Sequence, residues 1–325
     1  MTAPPLLIVG HGTRSAAGAA EFTRLVGRVG AHAGGRIPCV DGGFIELARP
    51  SVADAVVRLI EATGPCPLVA VPLVLTAAGH DKGDIPAALA RELGRHPGLS
   101  YRYGRPLGPH PVLQDLLEAR IDAALAGDSR QDTHVVLAGR GATDPDANAE
   151  VAKVARLLWE GRGYAAVEYS FISLAEPSVP AALDRARRLG ARRIVVAPYF
   201  LFTGVLPDRV AEQSTAFAAG HRALDVRVAG LLGDCDDLAG LVLARYDEAL
   251  RGDIRMNCDT CAYRVALPGF AGKVGRPQIP HHHPDEPMDP TAVSHRAVDH
   301  HVAEHHTAVN QPVGAHEHVA HEVLS

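Results

Sequence analysis

Leu6-Leu7-Ile8-Val9-Gly10-His11-Gly12-Thr13-Arg14-Ser15 decides how the chain is read. Four apolar residues stop abruptly at a glycine-flanked histidine. This is the pattern of a strand buried on both faces whose last turn sets an imidazole at its carboxyl end. Open parallel sheets place their ligands along that edge. Glycine on each side of His11 permits φ > 0 and lets a ligand approach the backbone closely. A strand-ending turn with an incidental histidine would look the same over so short a stretch, so the decision rests on what recurs downstream.

Outward from this strand, apolar strands alternate with amphipathic helices. A helix is expected over roughly 17–33 and a strand over Pro38–Ile45. A helix after Pro50 carries Val52, Ala55, Val56, Leu59 and Ile60 at helical spacing, with Ser51 and Asp54 as its capping box. A strand at Leu68–Leu75, a helix near Ile85–Leu93, a short strand around Tyr101 and a helix over Pro109–Ala126 complete the unit. Strand-helix alternation implies parallel pairing with right-handed crossovers.

After the turn-forming stretch Gly127–Asp132 the pattern restarts. Val135-Val136-Leu137-Ala138-Gly139-Arg140-Gly141 repeats the opening strand, and Phe171-Ile172-Ser173-Leu174-Ala175-Glu176-Pro177-Ser178 repeats Phe44-Ile45-Glu46-Leu47-Ala48-Arg49-Pro50-Ser51. Ala197-Pro198-Tyr199-Phe200-Leu201 repeats Val71-Pro72-Leu73-Val74-Leu75. The near-constant offset of 125 to 129 residues gives an α/β protein of two homologous lobes, each a parallel sheet flanked by helices, with a cleft between them. The expected organisation is an N-terminal lobe over 1–126 carrying the active site and a C-terminal lobe over 133–252 with a degenerate one. A Cys-x-x-Cys segment then covers 253–280 and a histidine-rich tail, expected to be disordered, covers 281–325.

Composition narrows the function. The 325 residues are 47% hydrophobic, enough for real cores, and 32 Lys+Arg against 37 Asp+Glu leave a formal charge of -5. No broad basic surface for nucleic acid results. Leu68–Gly79, the longest apolar stretch, contains Pro72 and is too short to span a bilayer, and Met1–Pro5 has no basic n-region. A cytoplasmic protein with no membrane partner is expected. Five cysteines, an odd number, point to thiols or metal ligands over a disulfide framework.

The strand ends of the first lobe carry His11, Glu46 and His80. Two imidazoles and a carboxylate can hold a borderline divalent metal and accept protons near neutral pH. The second lobe acts as an internal control, because it has Arg140, Ser173 and about Val205 there while the scaffold residues persist. The fold therefore does not itself require the trio.

Gly10-His11-Gly12-Thr13-Arg14, Phe44-Ile45-Glu46-Leu47-Ala48-Arg49-Pro50-Ser51 and Pro72-Leu73-Val74-Leu75 leading to Gly79-His80 with Asp84-Ile85-Pro86 closely resemble the class II sirohydrochlorin chelatases of the CbiX/SirB type. The resemblance extends over both lobes, to about residue 250. It implies a lyase that inserts a divalent metal, Co2+ or Fe2+, into sirohydrochlorin held in the interlobe cleft. His11 and His80 take the family's metal-binding and proton-accepting roles, with Glu46 as their acidic partner. One site per chain follows, since the second lobe departs from the pattern at all three places. Cobalt insertion toward cobalamin is the expected reaction. Iron insertion toward sirohaem would use the same ligands, and a non-catalytic metal storage or delivery protein is the reading of another class.

The residue chemistry agrees independently. Metallating a tetrapyrrole removes two pyrrole N–H protons and strips water from the metal, so ligands that also serve as bases and release the metal again suit the task. Arg14, Arg49, Lys82 and Arg140, in or beside the motif loops, are candidates to pair with the carboxylates of the substrate.

Beyond the lobes, Met256-Asn257-Cys258-Asp259-Thr260-Cys261 places two sulfurs within reach of one metal or cluster. Long members of the resembled family carry a similar Met-x-Cys-x-x-Cys associated with an iron–sulfur centre, which implies a [4Fe–4S] cluster on Cys258 and Cys261. Two sulfurs fill half of such a shell, leaving a partner chain in a homodimer, or Cys39, Cys66 or Cys235, to complete it. Eleven of the 18 histidines follow residue 280, among them His281-His282-His283, His300-His301 and His305-His306. Such tracts bind divalent metals loosely.

Overall fold

In β1 (Leu6–Gly10) every residue is buried, and alternate side chains feed different cores. Leu6 and Ile8 point to one face of the sheet, Leu7 and Val9 to the other. A strand covered on both faces has no polar side to expose, hence its unbroken apolar run. The computed structural model describes residues 3–252, 263 and 271–276, all but the side chain of His80 within them.

The first lobe runs β1, α1 (Ala16–Ala33), β2 (Val40–Phe44), α2 (Val52–Thr63), β3 (Pro67–Pro72), a π-helical turn (His80–Asp84), α3 (Ile85–Arg95), β4 (Ser100–Tyr103) and α4 (Pro111–Leu125). The second runs β5 (Thr133–Gly139), α5 (Pro145–Trp159), β6 (Ala166–Phe171), α6 (Val179–Arg188), β7 (Arg193–Pro198), α7 (Val205–Gly220), β8 (Asp225–Val228) and α8 (Asp236–Arg251). Each forms a four-stranded sheet, ordered β2-β1-β3-β4 and β6-β5-β7-β8, with every pairing parallel. In such an order the chain departs from β1 to one side and returns on the other, which opens a crevice at the carboxyl ends of β1 and β3. The second lobe repeats this between β5 and β7.

The expected capping box of α2 is present. Ser51 Oγ accepts from Asp54 N–H at 3.1 Å while Asp54 Oδ2 accepts from Ser51 N–H at 2.8 Å. The π-helical turn before α3 is not legible in the sequence. Pro86 in the first turn of α3 has no N–H to donate and its ring crowds the carbonyl four residues back, so the chain enters α3 through a wider turn.

One expectation about the lobes is corrected. The sequence leads one to expect the helix over Pro109–Ala126 to close the first unit, yet α4 packs on α5, β7 and β8 of the second lobe, while α8 packs on α1, β3 and β4 of the first. Each lobe lends its last helix to the other. The exchange is sealed by two arginines in equivalent places. Arg120 of α4 donates to the carbonyls of Leu231 and Leu232 at 2.8 and 3.0 Å, and Arg245 of α8 donates to those of Pro106 and Leu107 at 2.8 and 2.6 Å. Consequently the inner faces of both sheets share one core, containing Leu6 and Ile8 with Val135 and Leu137, while each outer face has its own. No helix among the described residues is long and apolar enough to cross a membrane.

Candidate active site

The carboxyl end of β1 is built so tightly that only glycine fits. A Cβ on Gly10 would meet the rings of Phe22 and Phe44 at 2.9 and 3.0 Å, and one on Gly12, whose φ is +116°, would lie 1.8 Å from the carbonyl oxygen of Glu46. Between them His11 is held by two backbone bonds to the loop after β2, from Ile45 N–H to Gly10 O at 3.0 Å and from Glu46 N–H to His11 O at 3.1 Å. The two loops are thereby clamped together, and His11 Nε2 lies 3.1 Å from Glu46 Oε1. Both side chains are largely shielded, at 24% and 13% exposure. On its other side His11 Nδ1 is 3.4 Å from the carbonyl of Gly12. An imidazole with an oxygen beside each nitrogen has a place to put a proton.

The second lobe repeats this clamp with different side chains. Ile172 N–H and Ser173 N–H bond to Gly139 O and Arg140 O, both at 3.0 Å, and a Cβ on Gly141 would lie 1.8 Å from Ser173 O. The backbone of the site is thus duplicated, while its acid and imidazole are not.

His11, Arg14 and Arg140 line one cleft of about 750 Å³ formed by the carboxyl edges of both sheets. Its size suits a sizeable organic ligand. Arg140 is accessible from the cleft, while the surrounding protein desolvates its guanidinium and draws its pKa down, an effect that Glu46 partly offsets. The backbone of His80 starts the π-helical turn at the same sheet edge, at the end of the loop that follows β3. Its side chain lies outside the described residues, and among those described no group of three His, Cys, Asp or Glu is arranged to hold a metal ion.

Two of the expected substrate-binding residues sit elsewhere. Arg49 is 70% exposed, bonds Asp54 Oδ2 at 2.9 Å and does not line the cleft. Lys82 is 9% exposed, with Nζ 2.7 Å from Asp144 Oδ2 and 3.3 Å from Asp146 Oδ2 across the lobe boundary. A buried ammonium held between two carboxylates ties the lobes together and cannot turn to a ligand. Cys258 and Cys261 and the tail histidines lie outside the described residues. Cys39, Cys66 and Cys235 are half-buried free thiols.

Sequence reasoning misses an acidic layer behind the cleft. Asp81 is buried and accepts a bond from Tyr103 Oη–H at 2.8 Å, and burial pushes its carboxyl up to about 7. Glu150, on α5, reaches across to the first lobe, where its Oε2 accepts from Ala77 N–H at 2.9 Å, and burial pushes it too up to about 7. Glu150 has a signal in the sequence. It shares one helix face with Ala147, Val151 and Val154, so an acid stands in an otherwise apolar stripe.

Comparison with known proteins shows the family. The CbiX family model matches residues 5–124 and again 134–249. The chain belongs to the CbiX family. It is 36% identical over 267 residues to a sirohydrochlorin cobaltochelatase of Priestia megaterium, covering 81% of this chain and 85% of that one. It is 31% identical to a sirohydrochlorin ferrochelatase of the same organism, covering 73% and 87%. Among solved structures, SirB from Bacillus subtilis with Fe3+ superposes with a TM-score of 0.67 at 26% identity, over 77% of this chain and 97% of that one. The two CbiX matches coincide with the two sequence repeats that build the two sheets, so each repeat of this chain is one copy of the family's unit.

Proposed function

We propose that this CbiX chain is a sirohydrochlorin chelatase that inserts Co2+, a lyase-type step in the construction of a cobalt tetrapyrrole of the cobalamin route. The observation that carries the reading is the His11–Glu46 pair at 3.1 Å, present in one lobe only, with His11 lining a cleft that also exposes Arg14 and Arg140. Cobalt is preferred over iron because the cobaltochelatase relative shares both higher identity and more of this chain than the ferrochelatase relative.

In this reading His11, with His80, presents nitrogen to the incoming metal ion, which is substrate and not resident. Glu46 orients the His11 ring and balances positive charge as the ion loses its water. The two pyrrole protons displaced by the metal leave through groups able to take them near neutrality, imidazole first. Arg14 and Arg140 receive peripheral carboxylates of the macrocycle by charge-assisted bonds. In the second lobe Arg140 stands where His11 stands in the first, so one lobe does the chemistry and the other binds.

The test is the metal-dependent change in the visible spectrum of sirohydrochlorin with purified protein, run with Co2+ and Fe2+ in parallel. Faster turnover with Co2+ is expected. Faster turnover with Fe2+ makes the chain a ferrochelatase, and no metallation with either ion favours a storage or delivery protein. Two accessory parts belong to the same reading: an iron–sulfur centre on Cys258 and Cys261, in a homodimer or with further cysteines, and metal capture by the histidines after residue 280. Iron and sulfide analysis of anaerobically purified protein tests the first. The metal concentration for half-maximal rate in a chain ending at Pro280, expected to rise, tests the second.

A further inference from the structure

Leu47 and Leu174 occupy the same place in the two lobes, one residue after Glu46 and Ser173, and both have positive φ, 64° and 61°. In each case the flanking residues bond across the leucine, Ala48 N–H to Glu46 O and Ala175 N–H to Ser173 O, both at 2.8 Å. A bond between residues i and i+2 around a positive φ is the rarer, strained form of the γ-turn. For a side chain with Cγ branching this conformation costs free energy that glycine would not incur. The strain occurs twice, at leucine both times.

Among the described residues, core packing does not recover that cost at Leu174, whose side chain is 63% exposed. Yet both leucines line the interlobe cleft, as does Val205 at the start of α7, itself 56% exposed. Exposed apolar side chains of this kind sit in a cleft that also contains the exposed guanidiniums of Arg14, Arg140 and Arg209. Apolar surface surrounded by cations complements a flat, unsaturated ring whose rim carries carboxylates. A cleft of about 750 Å³ accepts a ligand of that size.

We infer that Leu47 and Leu174 are the grips that hold the tetrapyrrole ring, one leucine contributed by each lobe, and that the strained γ-turns are retained because they aim these side chains into the cleft. The inference rests on the chelatase reading given above. It gives the second lobe's degenerate site a task, the binding of the macrocycle by Leu174 and Arg140 together. The strain at each turn is maintained for ligand contact and not for folding.

The experiment is a titration of sirohydrochlorin without metal, followed by absorbance, into full-length wild type, Leu174→Gly, Leu174→Ala and Leu174→Met, with thermal melting of each. Burial of one leucine side chain against the ring sets the expected loss at about tenfold in Kd for the glycine and alanine variants. In the metallation assay that loss should concentrate in KM. Leu174→Met should bind within about threefold of wild type, because it restores an apolar side chain. Leu174→Gly should melt no lower than wild type and above Leu174→Ala, since glycine releases the turn's strain while alanine keeps it. Wild-type affinity in both Leu174→Gly and Leu174→Ala overturns the inference, and so does a lowered melting temperature for Leu174→Gly, which would make the leucine structural. Failure of the wild type itself to bind or metallate sirohydrochlorin would instead remove the chelatase reading on which the inference stands.

Discussion

At the scale of single residues, the site depends on positions where nothing larger than hydrogen fits. Gly12 combines φ of +116° with a Cβ position only 1.8 Å from Glu46 O, so Gly12→Ala must push the loop after β2 away from the end of β1. The displaced loop carries Glu46, and the 3.1 Å pairing with His11 is lost with it. A destabilisation of about 1–3 kcal/mol is expected from the strained backbone, read as a lowered urea midpoint, together with a loss of metallation larger than that destabilisation explains. Gly27→Ala is the control. Gly27 lies in α1 with nothing within 4 Å of where a Cβ would stand, and the change should stabilise by about 0.5–1 kcal/mol without touching activity. His11 and Glu46 can be singled out from the sequence because the duplicated lobe lacks them. Lys82 cannot be placed that way. A cation beside a histidine motif reads the same whether it faces a substrate or two acids, and its partners Asp144 and Asp146 lie more than sixty residues away in the chain.

At the scale of elements, the strands and helices follow from local pattern. The unbroken apolar runs of β1 and β5 are buried on both faces, and the cap at Ser51 satisfies the first donors of α2. Ser51→Ala removes the acceptor for Asp54 N–H and should cost about 1 kcal/mol, visible as a lower melting temperature with metallation at saturating substrate preserved. What local pattern does not contain is destination. The apolar stripe of α4 tells that it must be covered, and either sheet would satisfy it. Long-range bonds fix the exchange, among them the paired arginines Arg120 and Arg245, which reach carbonyls in the opposite lobe. The π-helical turn at His80–Asp84 is equally hidden, since it arises where Pro86 meets the loop leaving β3 and not from any periodicity of its own.

At the scale of the whole molecule, two copies of one fold share a core and line one cleft. Burial raises the pKa of two acids near their junction toward neutrality, and this sets a pH dependence. Glu150 has its folded pKa raised from 4.5 to about 7, mainly by desolvation, with Asp146 and Asp81 raising it and Lys82 and the Ala77 N–H opposing. Between about pH 4.5 and 7 the unfolded chain has released the proton that the folded chain retains. The group's effect is therefore to lower stability as pH rises through that window, by up to about 1.4 kcal/mol per pH unit. Asp81, raised to about 7, acts in the same sense. Glu150→Gln keeps an oxygen for Ala77 N–H and loses the titration, so urea midpoints of the variant should fall less steeply from pH 5 to 7.5 than those of wild type. Equal slopes would show that Glu150 does not carry the proton.

The central claim proposed here is that the duplicated lobes have diverged into one catalytic half and one binding half of a single cleft, and steady-state metallation of sirohydrochlorin by His11→Ala and Arg140→Ala, each at saturating Co2+, tests it most directly. His11→Ala should lose turnover by about a hundredfold or more even at saturating sirohydrochlorin, as expected for a lost base and ligand. Arg140→Ala should raise KM for sirohydrochlorin and leave most of the turnover in place. Near-wild-type turnover in His11→Ala, or a loss in Arg140→Ala that saturating substrate does not repair, would contradict the account.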